Sequence, residues 1–199
     1  MDDLSRQIEQ SRALAKELVQ RAGDEAAKCY QCGKCSGGCP AAEAMDVTPR
    51  QVMRMVQLGL VDEALRTRAI WLCAGCDTCS TRCPKGVDIA HVMETLRIMA
   101  KEKGIIAEKD IDKFHNVYIG LMKGFGRMYE PGLIVGRNVL TGHLFQDVSY
   151  GLPYLTKRKL NLIPYRPKAK AEITHIFQAA ERVQREELAR LRQERGGEA

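Results

Sequence analysis

All eight cysteines of the chain fall into two runs with the same spacing, CxxCxxCxxxCP. The first run contains Cys29, Cys32, Cys35 and Cys39, and the second contains Cys73, Cys76, Cys79 and Cys83. Thiolates are soft metal ligands, and closely spaced cysteines within one loop are typical of metal centres. The cysteines therefore predict two metal centres held by sulfur.

The spacing within each run indicates which kind of centre to expect. Structural zinc sites, the alternative, use cysteines as two separated pairs, whereas each run here has three evenly spaced cysteines and a fourth before proline. This is the bacterial ferredoxin run, whose fourth cysteine binds the other of two clusters. We predict two [4Fe-4S] clusters with exchanged ligands. One is bound by Cys29, Cys32, Cys35 and Cys83, and the other by Cys73, Cys76, Cys79 and Cys39.

Glycines accompany the cysteines in both loops. A loop that surrounds a cluster needs positive φ angles and directs backbone N–H groups at the sulfides. The glycines expected to serve this purpose are Gly33, Gly37, Gly38 and Gly75.

The chain has no pattern that indicates a catalytic site. Every thiol is assigned to a cluster, and the sequence has no CCG-type cysteine motif, GxGxxG loop or Walker loop. No Ser-His-Asp set or pair of carboxylates can be argued either. We therefore predict electron transfer without catalytic residues in this chain.

The helices that must position the cysteines occur as an internal repeat. Thr48, followed by Pro49, and Asp88 are predicted N-caps, and they lie 40 residues apart, as do the apolar pairs that follow them, whereas the cysteines are offset by 44. Gly59 and Gly104 are the predicted ends of the two helices. The repeat is a loop followed by a helix, and it predicts a pseudo-twofold arrangement.

The segment between the two runs favours an all-α fold. It carries helix caps and no alternation of apolar and polar residues, so an alpha-helical ferredoxin is predicted in place of a strand-containing one. An amphipathic helix should precede it, with an apolar stripe that includes Leu14 and Leu18. The predicted divisions are an N-terminal helix at 1–28, the ferredoxin domain at 29–104, a partner-docking extension at 105–170 and a C-terminal amphipathic helix at 171–199.

The extension is predicted to be only partly helical. An apolar stripe indicates a helix over 109–123, after which seven glycines between 120 and 151, together with Pro153 and Pro164, predict turns, short helical pieces and extended chain. Because this segment remains rich in apolar residues, we interpret it as a surface that docks on a partner, with a self-packed lobe as the alternative.

Composition narrows the function classes. The chain has 199 residues, of which 45% are apolar and 28% charged, and its formal net charge is +6. The start lacks a secretory pattern and no apolar run reaches about 20 residues, so we expect a cytoplasmic protein without a transmembrane segment. The basic excess lies in 105–170, where it can attract an acidic protein; no nucleic-acid-binding motif accompanies it.

Four segments together resemble the C subunit of heterodisulfide reductase. They are CYQCGKCSGGCP, TPRQVMRMVQLG, IWLCAGCDTCSTRCPKGVDI and FHNVYIGLMKGFGRMYEPGLIVGRNVLTG, and the resemblance covers roughly residues 25–165. It implies the helical ferredoxin fold with two [4Fe-4S] clusters on the same eight cysteines. It also implies a hetero-oligomeric complex in which electrons pass between the A subunit, which carries flavin and iron-sulfur centres, and the disulfide-reducing B subunit, which has CCG motifs.

Two other functions remain open from the sequence. The cysteine runs alone would also suit the iron-sulfur subunit of a fumarate reductase, succinate dehydrogenase or glycolate oxidase. A protein of another class, structural or nucleic-acid-binding and stabilised by its metals, is the third possibility.

Overall fold

A computed structural model describes residues 3–142, 157, 167 and 169–196. Every regular element in these residues is a helix, which confirms the predicted all-α fold. The predicted turns around Pro153 and Pro164 lie outside the described residues, as do the side chains of Leu4 and Ile8 on the first helix. The chain divides into two compact units, Met1–Lys109 and Asp110–Ala199. The division into four segments made from the sequence stays a prediction.

Seven helices build the first unit. They are α1 (Asp3–Ala22), α2 (Lys34–Gly37), α3 (Pro49–Gln57), α4 (Val61–Arg66), α5 (Ala69–Leu72), α6 (Thr78–Thr81) and α7 (Ile89–Glu102), with 3-10 turns at Glu25–Lys28 and Ala42–Ala44. The two four-residue helices, α2 and α6, lie within the cysteine runs and contact each other. The longer helices α3 and α7 follow the runs and also contact each other, as a repeat about a pseudo-twofold axis requires.

The predicted caps of α3 and α7 are present. The Gln51 carboxamide oxygen accepts hydrogen bonds from the backbone N–H and the hydroxyl of Thr48 at 2.8 and 2.9 Å, and Pro49 opens the helix. Asp88 accepts from the backbone N–H of His91 at 3.1 Å. Each cap satisfies polar backbone groups that the first helical turn leaves without partners.

Helix α1 packs on α4 and α7 of the same chain. Leu18 is buried in that contact region, so at least part of the predicted apolar face of α1 covers the first unit. The core behind the cysteine loops consists of side chains that are almost inaccessible to water: Val52, Met53, Leu65, Ile70, Met93, Leu96 and Met99.

A buried carboxylate ties α1 to the end of α7. The Glu17 side chain is 5% exposed, and its two oxygens lie 3.0 Å from Arg21 and 3.0 Å from Lys103. Arg21 also pairs with Glu102 at 2.8 Å. A buried charge costs free energy unless it is paired. Removing the Glu17 carboxylate would take one partner from Arg21 and one from Lys103, beside the contact of α1 with α7.

The variant Glu17→Gln should therefore lower the free energy of unfolding by on the order of 2 kcal/mol. This is below the roughly 3–5 kcal/mol of a fully buried broken pair, because Lys103 is partly solvated. Chemical denaturation under anaerobic conditions measures the loss. Glu102→Gln, which leaves Arg21 paired with Glu17, is the matched control and should cost less; equal losses would contradict a special role for Glu17.

The second unit contains α8 (Lys109–Phe125), α9 (Glu130–Thr141) and α10 (Lys170–Gly196). The predicted helix over 109–123 is confirmed with two more residues. The prediction of turns, short helical pieces and extended chain after it allows a helix at 130–141, but α9 is regular and, with 12 residues, longer than the short pieces expected. Glycine was interpreted there as a breaker of structure.

Two glycines of α9 have a packing role. A Cβ atom on Gly136 would lie 2.9 Å from the Val117 side chain of α8, whereas one on Gly132 would meet the Tyr129 ring first and would lie 3.1 Å from Leu121 of α8. The four-residue spacing on both helices places these contacts in register, so the missing side chains let the two backbones approach closely.

Alanine substitutions can separate packing from helix propensity in this unit. A Cβ atom added to Gly120 of α8 would meet no neighbouring atom within 4 Å, so Gly120→Ala should stabilise the helix by about 1 kcal/mol. Gly136→Ala should give no such gain, and a net loss, because Val117 has a stiff χ1 angle and must shift. Thermal unfolding of the two variants compares them; equal stabilisation would show that α8 and α9 do not pack closely.

Helix α10 covers most of the predicted span of 171–199 and is mostly exposed. Its Phe177 ring lies under the ammonium of Lys123 at 5.5 Å, and Glu181 forms an ion pair with the same lysine. Ile176 and Val183 are exposed to solvent. In the part of the chain that the structure describes, no helix is both long and apolar enough to span a membrane.

Candidate metal centres

The fourth cysteine of the first run lies with the first three cysteines of the second run. A cavity that is partly open to solvent is lined by Cys39, Cys73, Cys76 and Cys79. Its remaining wall is mostly apolar and comes from both halves of the repeat: Pro40, Ala41, Met45, Pro49, Ala74, Thr78, Ala90 and Met93.

Asp46 holds the two halves of this cavity together. Its carboxylate oxygens accept hydrogen bonds from the backbone N–H groups of Arg68 and Ala69 at 2.8 and 2.9 Å. Those residues begin α5, which leads directly into Cys73. The segment that follows Cys39 is thereby fixed against the segment that precedes the second run.

The cavity suits a group of several atoms. Among the described residues, no three His, Cys, Asp or Glu side chains are grouped so that they could hold a single metal ion. Four soft sulfur donors around an apolar space fit an iron-sulfur cluster, since thiolate ligands select such clusters and the surrounding shell limits the access of water.

The other four cysteines share a second neighbourhood. Tyr30 is affected by three of them: hydrogen bonding to Cys32 raises the pKa of the Tyr30 hydroxyl, and the charges of Cys83 and Cys29 act in the same direction. Cys35 is close enough to Cys29 for the charge of one to affect the other. Cys83, from the second run, is thus close enough to Tyr30 for its charge to act there, as are Cys29 and Cys32 of the first run.

Equivalent cysteines of the two runs have equivalent environments. Cys32 and Cys76 are exposed, whereas Cys35 is buried and Cys79 partly buried. The backbone N–H of Lys34 lowers the pKa of Cys32, and hydrogen bonding with Thr78 lowers that of Cys76. Burial raises the pKa of Cys35 and raises that of Cys79 to about 11. Each set therefore has one thiol that reaches the surface and one that faces the interior.

A serine in each run fastens the loop to the helix that follows it. The Ser36 hydroxyl accepts a hydrogen bond from the backbone N–H of Arg50 at 3.0 Å, and the Ser80 hydroxyl accepts one from Ala90 at 3.0 Å. Ser80 also donates to Asp88 at 2.7 Å and lowers the pKa of that carboxyl. The two halves of the internal repeat predicted from the sequence thus make the same serine-to-backbone hydrogen bond.

The glycine prediction is correct for two loop positions and wrong for two. Gly33 and Gly75 have φ angles of 82° and 60°, as expected. Gly38 has a φ of −109°. Gly37 lies in α2 and is not among the glycines with positive φ. A Cβ atom on Gly38 would meet the Arg82 guanidinium, which is the end of a flexible side chain and could shift.

Two non-glycine residues adopt the left-handed conformation in these loops, and sequence reasoning missed both. They are Gln31 and Asp77, with φ angles of 64° and 55°. Gln31 is equivalent in the repeat to Gly75, and Asp77 to Gly33, at the 44-residue offset of the cysteines. Aligning the two runs could have identified them, since equivalent loops need the same backbone angles.

The carbonyl of the first cysteine of each run is bound by the helix that follows. Gln57, at the end of α3, donates to the carbonyl oxygen of Cys29 at 2.6 Å. Arg97 of α7, which is 40 residues further on, donates to that of Cys73 at 3.0 Å. The two halves thus use the same position with different chemistry, a neutral amide in one and a guanidinium in the other.

Basic side chains surround the first loop. Lys34 and Arg82 line an open hollow together with Gly37. Lys85 lies 5.9 Å from the centre of the Tyr30 ring. Such charges suit both the negative charge of a thiolate-bound cluster and the approach of an acidic partner.

Residues 25–87 match the protein family described as the 4Fe-4S dicluster domain. The match contains all eight cysteines. Together with the helices on either side of each run, it confirms the predicted fold class, an all-α domain of the dicluster ferredoxin type.

Three relatives carry a consistent name. The chain is 44% identical over 80 residues to the iron-sulfur C subunit of the CoB–CoM heterodisulfide reductase from Methanopyrus kandleri, a match that covers 40% of this chain and 42% of the relative. It is 46% identical over 79 residues to the corresponding C 2 subunit from Methanocaldococcus jannaschii, with the same coverage. It is 33% identical over 96 residues, 48% of this chain and 52% of the relative, to the C subunit of the H(2):CoB-CoM heterodisulfide,ferredoxin reductase from Methanothermobacter thermautotrophicus.

These matches confirm the resemblance to the C subunit of heterodisulfide reductase. The chain spans about half the length of the curated relatives it matches, and the matched stretches of 79 to 96 residues are shorter than the span of 25–165 expected from the sequence.

Proposed function

We propose that this chain is the electron-transfer iron-sulfur subunit of a heterodisulfide-reductase-like complex. Two [4Fe-4S] clusters, when bound, accept and release single electrons. One is held by Cys29, Cys32, Cys35 and Cys83, and the other by Cys73, Cys76, Cys79 and Cys39. Electrons pass through them between an A-like flavin and iron-sulfur subunit and a B-like subunit with CCG motifs, where the disulfide is reduced.

The cavity shared by the two runs is the observation that carries the proposal. Cys39 lines it with three cysteines of the second run, and Cys83 lies beside Tyr30 with cysteines of the first. Two adjacent centres joined by a short stretch of chain suit the transfer of electrons from one to the other.

Access to the surface further supports a relay. Each cysteine set has one exposed member, Cys32 in the first and Cys76 in the second. An electron can therefore enter near one loop and leave near the other without crossing the full width of the protein. The basic side chains Lys34, Arg82 and Lys85 beside the first loop would attract an acidic partner surface.

The second unit supplies a candidate docking surface. Among the described residues of α9, the side chains of Val135, Val139 and Leu140 are more than half exposed. Adjacent exposed apolar residues on a helix are typical of protein interfaces. We infer that this face of α9 contacts another subunit of the complex.

The isolated chain should bind iron but reduce no disulfide. It is expected to carry about eight iron atoms, four for each cluster, and to be reduced by dithionite. Anaerobic purification followed by iron, zinc and sulfide analysis measures the first property, and a heterodisulfide reduction assay with reduced dye measures the second. Zinc in place of iron would revive the structural alternative, and disulfide reduction by the chain alone would contradict the assignment.

An anaerobic pull-down with identification of the captured subunits tests the complex. The tagged wild-type chain should retain A-like and B-like proteins, whereas Val135→Lys should release at least one of them by placing a charge in the apolar surface. Gln10→Lys, which adds the same charge at an exposed position of α1, is the matched control and should retain both. Recovery of the wild-type chain as a monomer without these proteins would refute the proposal.

A further inference from the structure

Gln31 occupies a position where glycine would be expected. It lies between Cys29 and Cys32 with a φ angle of 64°, and the equivalent residue of the second run is Gly75, with a φ of 60°. Residues other than glycine, asparagine and aspartate rarely adopt this backbone conformation, which costs them on the order of 1 kcal/mol or more. A glutamine here needs a compensating interaction.

The Gln31 side chain makes that interaction with a cysteine of the first set. Its amide nitrogen lies 3.5 Å from the sulfur of Cys29 and 3.1 Å from the carboxamide oxygen of Gln57. The amide thus has one N–H for each of the two acceptors. Both groups are partly buried, so water competes only weakly for these hydrogen bonds.

Neighbouring backbone groups fix which end of each amide faces the sulfur. The Gln57 nitrogen donates to the carbonyl oxygens of Ala26 and Cys29 at 3.1 and 2.6 Å. The Gln57 oxygen therefore faces Gln31, and the Gln31 amide nitrogen donates a hydrogen bond to it. The result is a chain of hydrogen bonds that presents an N–H group, not an oxygen, to the Cys29 sulfur.

The second loop lacks this donor. Gly75 has no side chain, and the residue equivalent to Gln57 is Arg97, which donates to the carbonyl oxygen of Cys73 at 3.0 Å. The Arg97 guanidinium therefore acts on the cysteines of the second set through its positive charge. The neutral amides of Gln31 and Gln57 act on the first set through a directed hydrogen bond to sulfur.

We propose that Gln31 sets the reduction potential of the cluster bound by the first loop, by donating an N–H to the sulfur of Cys29. Reduction adds one electron to that cluster and breaks no bond, so the negative charge on its sulfur ligands grows. A hydrogen bond to one of those sulfurs stabilises the reduced state more than the oxidised state and raises the potential. The two clusters are thereby tuned by different groups, and this assignment rests on the function proposed above.

Two variants of Gln31 separate the donor from the backbone conformation. Gln31→Met keeps a long, unbranched side chain and the positive φ angle but removes the N–H. Gln31→Gly removes the N–H and relieves the backbone, as in the second loop. In both, EPR-monitored potentiometric titration of the full chain with its clusters should show one potential lowered. At a fixed potential near the midpoint, the ratio of reduced to oxidised cluster should fall about twofold to tenfold.

Arg97→Gln provides the reciprocal measurement. It should lower the other potential and leave the one that responds to Gln31 in place, which assigns each potential to a loop. An unchanged potential in Gln31→Met, or a shift only in Gln31→Gly, would overturn the proposal, as would a response of the same potential to both Gln31→Met and Arg97→Gln. Iron content is measured on each sample, so that a chain without clusters counts against the proposed function and not against the role of Gln31.

Discussion

Replacing Cys39 with alanine should remove the cluster of the second cysteine run and leave that of its own run intact. Cys39 lines the cavity formed with Cys73, Cys76 and Cys79, so its loss takes a ligand from that set. Iron should fall from about eight to about four atoms per chain. The EPR spectrum of reduced Cys39→Ala should match that of Cys73→Ala.

The reciprocal variant gives the control. Cys83→Ala should lose the other cluster, and its spectrum should match that of Cys29→Ala, because Cys83 lies with the first run around Tyr30. If Cys39→Ala instead matches Cys29→Ala, each run binds its own cluster and the exchanged assignment is wrong. The comparison needs no partner subunit, so it is independent of how the complex assembles.

Removing iron should have the second large effect, and it should be confined to the loops. The helices α2 and α6 have four residues each, far below the roughly 12–15 residues that an isolated helix needs. Their fold therefore depends on the clusters, since metal binding supplies folding free energy. The core behind them does not, because Met53, Leu65 and Leu96 are fully buried against protein.

Hydrogen exchange of the chain before and after anaerobic chelation measures this difference. Residues 29–48 and 73–88 should lose protection by orders of magnitude, whereas the middle of α7 should keep most of its protection. Restoring iron and sulfide should restore the loops. Equal loss of protection in α7 would show that the clusters hold the whole first unit together.

Local signals predicted the first unit well. Helices α3 and α7 begin at the expected caps and end before the expected glycines, because caps, an apolar stripe and a terminal glycine act within a few residues of one another. The eight cysteines were equally legible, since their spacing is itself the constraint. The contacts that bring Cys39 to the second run were expected from the ferredoxin pattern and not from any local rule.

Glycines were harder to interpret because their roles depend on neighbours distant in sequence. Gly132 and Gly136 are typical helix breakers, but here Gly136 accommodates Val117 of another helix, and Gly132 accommodates the Tyr129 ring and Leu121. Gly38 leaves room for Arg82, which lies in the other cysteine run. Only the tertiary structure distinguishes a glycine needed for a positive φ angle from one needed for the close approach of another side chain.

The hydrogen-bond network around Cys29 was also beyond the sequence. Gln31 and Gln57 are 26 residues apart and carry no motif. Their pairing becomes visible once the end of α3 is placed beside the first loop. In the second half of the repeat, Arg97 takes the place of Gln57, and Gly75, which has no side chain, takes the place of Gln31.

The position of Cys39 also limits how far apart two redox centres can be. Cys35 belongs to the first run and Cys39 to the wall of the cavity in the second, and four residue steps of chain separate them. Four steps of extended chain reach about 14 Å, and the chain here is partly helical and shorter. The second run repeats the link between Cys79 and Cys83. In the proposed arrangement, two short stretches of chain therefore set an upper limit on the distance between the clusters, so movements of partner proteins should change the rates of electron arrival and departure more than the internal step.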